Sequence, residues 1–172
     1  MWGTGDSDVG ALSPPMLESC FMKIALGADH AGFELKEKIK RHLISSGIQV
    51  QDEGTNSGES VDYPDFARLV GEDVVGKRAD LGILVCGTGI GMSMSANKVA
   101  GIRAANVSSE FEAQMAREHN DANVLTLGAR VLDEPEAVKI IDKWLQTTFA
   151  GGRHQRRVDK IMQIEQRDHN HE

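Results

Sequence analysis

The chain has 172 residues, of which 40% are hydrophobic and 26% are charged, and its formal net charge is −7. These values are typical of a globular domain with a sizeable core. The acidic balance argues against a nucleic-acid partner, and no apolar run approaches the roughly 20 residues of a membrane-spanning helix. The two cysteines, Cys20 and Cys86, do not form a disulfide framework, so we expect a reducing, cytoplasmic location.

The two ends of the chain differ from the rest. Residues 1–21 contain Gly, Ser and a pair of prolines but no Lys or Arg. They lack the basic start and continuous apolar stretch of a secretory signal, so we interpret them as a disordered extension or as the product of an upstream start site. We expect a single domain over residues 22–167 and a flexible tail over residues 168–172.

Apolar runs alternate with amphipathic segments along the predicted domain. The runs predict strands at residues 24–26, 48–51, 81–85, 103–107 and 124–127. The segments between and after them predict helices at residues 33–46, 66–74, 93–99, 110–118, 134–148 and 153–166. In the first helix, Leu35, Ile39 and Leu43 share one face, and Lys36 and Lys40 lie elsewhere.

This alternation predicts an α/β fold: a three-layer αβα sandwich around an open, five-stranded parallel sheet, Rossmann-like or flavodoxin-like, plus a C-terminal helix. Ligands of such sheets bind beyond the carboxyl ends of the strands. Asp29 and His30 follow the first strand at that edge. Asp29 is either a helix N-cap or a site residue, and residue types alone do not decide between the two.

The segment from Leu81 to Gly91 joins a buried strand to a glycine-rich loop. Gly87, Gly89 and Gly91 allow sharp turns and leave backbone N–H groups uncovered, and the following helix directs its positive end at the same point. Cys86 is then either a small buried hydrophobic residue or a reactive thiolate beside N–H donors. The glycine spacing matches neither a dinucleotide fingerprint nor a P-loop, so an oxyanion or phosphate nest fits better.

Two further groups of residues are candidates for a functional site. His119 and Asn120 end the fourth helix, where they are either a C-cap or catalytic residues. Because that helix leads into the fifth strand, they should lie at the opposite end of the sheet from Cys86. If both His119 and Cys86 are catalytic, a second subunit supplies one of them.

Basic residues near the C-terminus form a second candidate group. Arg153 and Arg157 are four residues apart on one helix face, where two guanidinium groups match the oxygens of a phosphate. The alternative is a solvated basic turn. Arg130, just after the fifth strand, is a further candidate.

Seven segments in order resemble the ribose-5-phosphate isomerase B family, within the wider group that includes galactose-6-phosphate isomerase subunits. They are GADHAGF (27–33), DYP (62–64), CGTGIG (86–91), SANK (95–98), GIR (101–103), EHND (118–121) and GGRHQRRV (151–158). Each segment is weak alone, but together they cover residues 22–166. The resemblance implies an aldose–ketose isomerase that needs no cofactor or metal and interconverts ribose 5-phosphate and ribulose 5-phosphate in the pentose phosphate pathway.

The resemblance also implies roles for residues. Cys86 would be the base that moves a proton between C2 and C1, and His119, with Asp29 or Thr88, would open the sugar ring. Other family members use a glutamate where this chain has Ile90, so the cysteine variant applies. Enediolate binding falls to the loop residues Gly87, Thr88, Gly89, Ile90 and Gly91. The phosphate or neighbouring hydroxyls would be held by His30, Arg130, Arg153 and Arg157, and the sugar site would be lined by Tyr63 and Asn120.

The family resemblance further implies a homodimer with shared active sites, and leaves a tetramer open. Other functions compete with this one. The same reaction could act on a hexose 6-phosphate, such as allose or galactose 6-phosphate, because pocket length is not readable from the sequence. A sugar-phosphate sensor without catalysis would need neither Cys86 nor His119 as a proton-transfer group. A flavodoxin-like redox protein is disfavoured by the presence of only one Tyr and two Trp.

Overall fold

The computed structural model describes residues 21–168, and the predicted N-terminal extension and tail otherwise lie outside this range. The strands are β1 (Lys23–Ala28), β2 (Gln49–Gly54), β3 (Leu81–Cys86), β4 (Ala104–Asn106) and β5 (Val124–Gly128). The helices are α1 (Phe33–Ser45), α2 (Tyr63–Val75), α3 (Ile90–Ala96), α4 (Glu110–Asn120), α5 (Glu134–Gln146) and α6 (Arg153–Asp168). No helix in this range combines the length and the apolar character needed to cross a membrane. The predicted fold class is confirmed.

The sheet is parallel throughout, with the strand order β2-β1-β3-β5-β4. The short strand β4 lies at the edge, and β5 inserts between it and β3. The register pairs Cys86 at the end of β3 with Gly128 at the end of β5. The strand order therefore brings the turn after β5 beside the loop that follows Cys86.

The core has two layers, one on each face of the sheet. On one face, α1, α4 and α5 cover strand residues such as Leu26 and Ile83, and α5 adds the fully buried Trp144. On the other face, α2 and α3 cover a smaller cluster that includes Cys86 and Met92. Helix α6 packs against α4. Because strand side chains alternate between faces, the same short runs supply both layers.

Some predicted boundaries are wrong. Helix α2 begins at Tyr63 and not at residue 66, because Pro64 occupies the first turn, where its missing N–H costs no hydrogen bond. Tyr63 is therefore the first residue of the helix. Helix α3 begins at Ile90, three residues before the prediction, so it starts directly after Gly89.

Lys36 does not lie away from the core as its sequence position suggests. Its side chain is fully buried, and Nζ is 2.8 Å from both carboxylate oxygens of Asp52. Lys40 Nζ lies 2.7 Å from the same carboxylate, and the Gly54 N–H donates to it as well. Burial by itself would raise the pKa of Asp52, but these hydrogen bonds outweigh it and the pKa is lowered. The network fixes α1 to the end of β2.

Replacing Asp52 with Asn should destabilise the protein by about 3 kcal/mol at neutral pH, since it leaves the buried Lys36 ammonium without its main partner. Urea unfolding measures this change. A carboxyl whose pKa is lowered in the folded state stabilises it above the unfolded pKa and loses that effect as pH falls through the folded pKa. The difference in free energy of unfolding between wild type and Asp52→Asn should therefore become smaller at acidic pH.

Glu72→Gln serves as the control for Asp52→Asn. It breaks an ion pair with Arg68 in which both side chains are about half exposed. Exposed pairs of this kind contribute roughly 0–1 kcal/mol. Equal destabilisation by the two variants would contradict a special role for the buried network.

Candidate active site

The thiol of Cys86 lies at the carboxyl end of β3, where the chain leaves the sheet. The residue is only 5% exposed, and Sγ accepts a hydrogen bond from the Gly89 N–H at 3.1 Å. Gly89 has φ +79°, and a side chain there would collide with the Asn106 side-chain oxygen. Only glycine meets both requirements without strain. The loop is therefore built to bring a backbone donor onto the sulfur.

The loop is fixed from the β5 side as well. The Ala129 N–H donates to the Cys86 carbonyl at 2.8 Å, and the Arg130 N–H donates to the Gly87 carbonyl at 2.9 Å. A Cβ on Gly128 would approach the Thr88 backbone to 2.8 Å. The turn after β5 therefore packs closely against the loop and carries Arg130 to its rim.

Helix α3 follows the loop without an intervening residue. Its first intrahelical bond runs from the Ser93 N–H to the Gly89 carbonyl at 3.0 Å, so the N–H groups of Gly91 and Met92 precede the helical ladder. The Ile90 N–H has a long contact of 3.4 Å with the Thr88 hydroxyl. This end of the loop offers backbone donors to a negatively charged group.

Asp29 and His30 follow β1 next to this loop. The Asp29 carboxylate is nearly buried and accepts the Gly32 N–H at 2.9 Å, while Gly32 itself occupies the N-cap position of α1. His30 is exposed, and its Nδ1 accepts the Val61 N–H at 3.3 Å. A neutral His30 therefore carries its proton on Nε2. Asp29 shapes the turn before α1 and keeps its second carboxylate oxygen for other partners.

These elements surround a cavity of about 470 Å³. It is lined by Asp29, His30, Ala31, Tyr63, Cys86, Gly87, Thr88, Ile90, Gly91, Met94 and Arg130. Ala31 and Met94 are the lining residues that the sequence analysis missed. Met94 is 66% exposed and lies one helical turn after Ile90. The i, i+4 spacing from Ile90 was the sequence signal that could have placed Met94 on the same helix face. Gly89, which was also predicted as a binding residue, does not line this cavity, and its N–H donates to the Cys86 sulfur instead.

A larger cleft of about 880 Å³ adjoins this cavity and shares His30, Ala31 and Arg130 with it. It runs between the start of α1 and the start of α5. Residues of both signs line it, including Lys38 and Glu134, which form an ion pair at 3.3 Å. His30 and Arg130 therefore lie at the junction of the two spaces.

The remaining predicted residues form a second group elsewhere in the chain. His119 and Asn120 end α4, and Arg153 and Arg157 lie in the first turns of α6. The imidazole of His119 stacks on that of His154, with ring centroids 4.2 Å apart and an angle of 4° between the planes. The structure thus brings the end of α4 and the start of α6 together.

The two groups lie at opposite ends of the sheet. Arg103, which precedes β4, donates from its guanidinium to the carbonyls of Asn120 and Asp121, so the end of α4 sits at the amino ends of the strands. Cys86 sits at a carboxyl end, and six-residue strands such as β3 span about 17 Å. Within one subunit His119 does not line the Cys86 cavity, as its helix position predicts.

His154 was missed by sequence reasoning, although it precedes the buried Val158 by four residues on one helix face. The side chain is nearly buried, at 8% exposure. Burial and the nearby His119, Arg153 and Arg157 lower the pKa of His154, and Glu118 opposes them. His154 is therefore neutral at neutral pH. Among residues 21–168, no group of three or more His, Cys, Asp or Glu side chains is arranged to hold a metal ion.

Known proteins of similar sequence point to one family. The model of the family described as Ribose/Galactose Isomerase matches residues 24–161. Ribose-5-phosphate isomerase B of Escherichia coli is 52% identical over 145 residues, which are 84% of this chain and 97% of the relative. Ribose-5-P isomerase B of Listeria innocua is 44% identical and aligns with 86% of this chain and 99% of its own length.

Solved structures agree with the sequence relatives. Ribose-5-phosphate isomerase B of Clostridium thermocellum superposes with a TM-score of 0.84 at 51% identity, covering 85% of this chain and 99% of that one. Ribose-5-phosphate isomerase B of Mycoplasma genitalium, solved with bound ribulose-5-phosphate, gives a TM-score of 0.81 at 48% identity. The match covers 84% of this chain and 97% of that one. With the family model matching most of its length, this chain belongs to the ribose/galactose isomerase family.

Proposed function

We infer that the protein is an aldose–ketose isomerase that interconverts D-ribose 5-phosphate and D-ribulose 5-phosphate. One observation carries this inference: the Cys86 sulfur, with the Gly89 N–H 3.1 Å away, lines a cavity at the carboxyl edge of the sheet. Relatives about half identical to the chain are named for this reaction, and one was solved with bound ribulose-5-phosphate. We expect the enzyme to act in the cytoplasm, within the pentose phosphate pathway.

The reaction moves one proton between neighbouring carbons. The Cys86 thiolate takes the C2 proton of the open-chain aldose, the C2–H electrons form the C1–C2 double bond, and the C1 oxygen becomes negative. The proton of the C2 hydroxyl passes to the C1 oxygen, and the thiol then returns its own proton to C1 as the C2 carbonyl forms. Backbone N–H groups of the loop from Gly87 to Gly91 stabilise the enediolate oxygens, and such fixed donors contribute far more in a site shielded from water than in water.

The substrate phosphate requires positive partners, and this chain has a net charge of −7. Arg130 lies at the rim of the cavity, where the neutral His30 can also donate a hydrogen bond to the phosphate from Nε2. Arg153 and Arg157 add two guanidinium groups, which bind phosphate oxygens in a forked geometry. Since the phosphate does not react, its binding energy orients the carbons beside Cys86.

We propose a homodimer in which the second group of one subunit completes the Cys86 cavity of the other. Two observations support it. His119, Asn120, Arg153 and Arg157 cannot serve the cavity of their own subunit from the far end of the sheet. Large apolar side chains are also exposed on the elements that carry the two groups, among them Met94 (66%), Phe111 (70%) and Ile164 (64%). A second copy of the chain would cover them.

The direct test is turnover of purified protein on a sugar-phosphate panel. Ribose 5-phosphate should give the highest kcat/KM, above allose 6-phosphate and galactose 6-phosphate. A higher kcat/KM for either hexose phosphate would keep the mechanism and reassign the substrate. Binding of ribose 5-phosphate without any conversion would favour a sensor.

Cys86→Ala should lower kcat by about 10²–10⁴-fold, since the base that transfers the proton is lost. It should also stop the exchange of deuterium from D₂O into C1 of ribulose 5-phosphate, which NMR follows directly. Binding of ribose 5-phosphate, measured by calorimetry, should change little. A variant that keeps most of its turnover would remove the thiol from the mechanism.

Gly89→Ala should displace the loop, because residue 89 has a positive φ and no room for a side chain. The N–H donor to Cys86 would be lost, so alkylation of Cys86 by iodoacetamide should slow several-fold, as peptide mass mapping can show. Turnover should fall about 10²-fold, the typical cost of losing an oxyanion donor. Gly58→Ala is the matched control, since nothing lies within 4 Å of its added Cβ. Equal turnover and equal alkylation rates in the two variants would contradict a role for the Gly89 N–H in the site.

Mixing two inactive variants tests the shared site. A dimer of one Cys86→Ala subunit and one His119→Ala subunit contains one site with both native residues and one with neither. After random exchange of subunits, the mixture should recover about a quarter of wild-type activity, because half of the dimers are hybrids and each has one intact site. No recovery, in a mixture shown by mass spectrometry to contain hybrids, would place both residues in one subunit's site.

A further inference from the structure

Two imidazole rings of the same chain, those of His119 and His154, lie face to face. Their centroids are 4.2 Å apart and their planes differ by 4°. The contact joins the last turn of α4 to the first turn of α6. The Ala150 N–H also donates to the Glu118 carbonyl at 3.0 Å, which anchors the segment before α6 to the end of α4. The stack is thus part of a fixed junction.

The two rings differ in exposure. His154 is 8% exposed, whereas the side chain of His119 is 37% exposed. One face of His119 is covered by His154, and its Nε2 lies 3.8 Å from a Glu118 carboxylate oxygen. The stack therefore covers one face of the ring and restricts its tilt, while part of the His119 side chain stays exposed.

We propose that His154 is a positioning residue that holds the His119 imidazole at the angle required for opening the sugar ring. This inference rests on the proposed function, in which His119 moves the proton for ring opening. Opening the furanose breaks the bond between C1 and the ring oxygen. One proton leaves the C1 hydroxyl and one is added to the ring oxygen, so a group such as His119 must sit at the correct edge of the sugar.

The charge of His154 supports the same role. Burial lowers the pKa of His154, and the positive charges of His119, Arg153 and Arg157 lower it further against the opposing Glu118, so the ring is neutral at neutral pH. A second imidazolium would repel both a protonated His119 and the two guanidinium groups. A neutral aromatic face instead attracts a cation stacked on it. His119 can therefore gain and lose a proton without losing its support.

The substrates themselves provide a test specific to ring opening. Ribose 5-phosphate is mainly a furanose, whereas ribulose 5-phosphate is open-chain because its C5 oxygen is esterified. Deuterium exchange at C1 of ribulose 5-phosphate therefore needs Cys86 but no ring opening. A residue that acts through His119 should affect turnover of ribose 5-phosphate and leave this exchange almost unchanged.

We expect His154→Ala to lower kcat with ribose 5-phosphate by about tenfold or more, a typical cost of misplacing a catalytic group. The C1 exchange should stay within about twofold of wild type. His154→Phe should recover much of the lost turnover, since it restores a flat, neutral ring. Gln155→Ala is the control on the same helix, because Gln155 is exposed and, among residues 21–168, its side chain hydrogen-bonds only that of Asp159.

NMR of the free protein provides a readout that does not depend on activity. The ring protons of His119 should lose the upfield shift caused by the stacked ring in His154→Ala and keep it in His154→Phe. Circular dichroism checks that both variants fold. The inference is overturned if His154→Ala turns over ribose 5-phosphate like wild type, if both reactions fall together, or if Phe restores nothing. An inactive wild type would instead overturn the proposed function, and the NMR shifts would still test the stack.

Discussion

The direction of the parallel sheet decides which side chains of this protein can meet. All five strands point the same way, so Cys86 and the residues after β1 share the carboxyl edge. Each helix that leads into a strand must return to the amino edge, and α4 brings His119 there. The separation of the two groups therefore follows from topology, and no rotation of a side chain could close a gap of about 17 Å.

The strands and the surroundings of Cys86 could be predicted from the sequence because their signals are local. Apolar runs mark buried parallel strands, and Cys86 with its glycines carries its chemistry in adjacent residues. The strand order could not be read in this way, because the insertion of β5 between β3 and β4 depends on packing between distant segments. Local signals also misplaced the start of α2, since a proline in a first helical turn resembles one in a loop.

Buried polar residues were the harder part of the prediction. Lys36 reads as a surface lysine, yet it is fully buried because Asp52, sixteen residues later, supplies a carboxylate at 2.8 Å. His154 reads as part of a basic turn, yet it is covered by His119 from another helix. In both cases the partner comes from a separate element, so helical periodicity alone gives an incomplete answer. A substitution at either position removes a contact between two separate elements.

In the proposed dimer, the two separated groups of one chain serve two different active sites. Under twofold symmetry, each subunit gives its cationic group to its partner and receives the same group in return. In that dimer the proposed base and loop donors would act on C1 and C2, and the proposed ring-opening and phosphate-binding groups would approach from the other subunit. Placing Arg153 and Arg157 beside His119 gathers cationic side chains, and His154, whose pKa is lowered by burial and by these neighbours, adds no further positive charge. A neutral ring at this position is therefore compatible with both proposed roles of the second group.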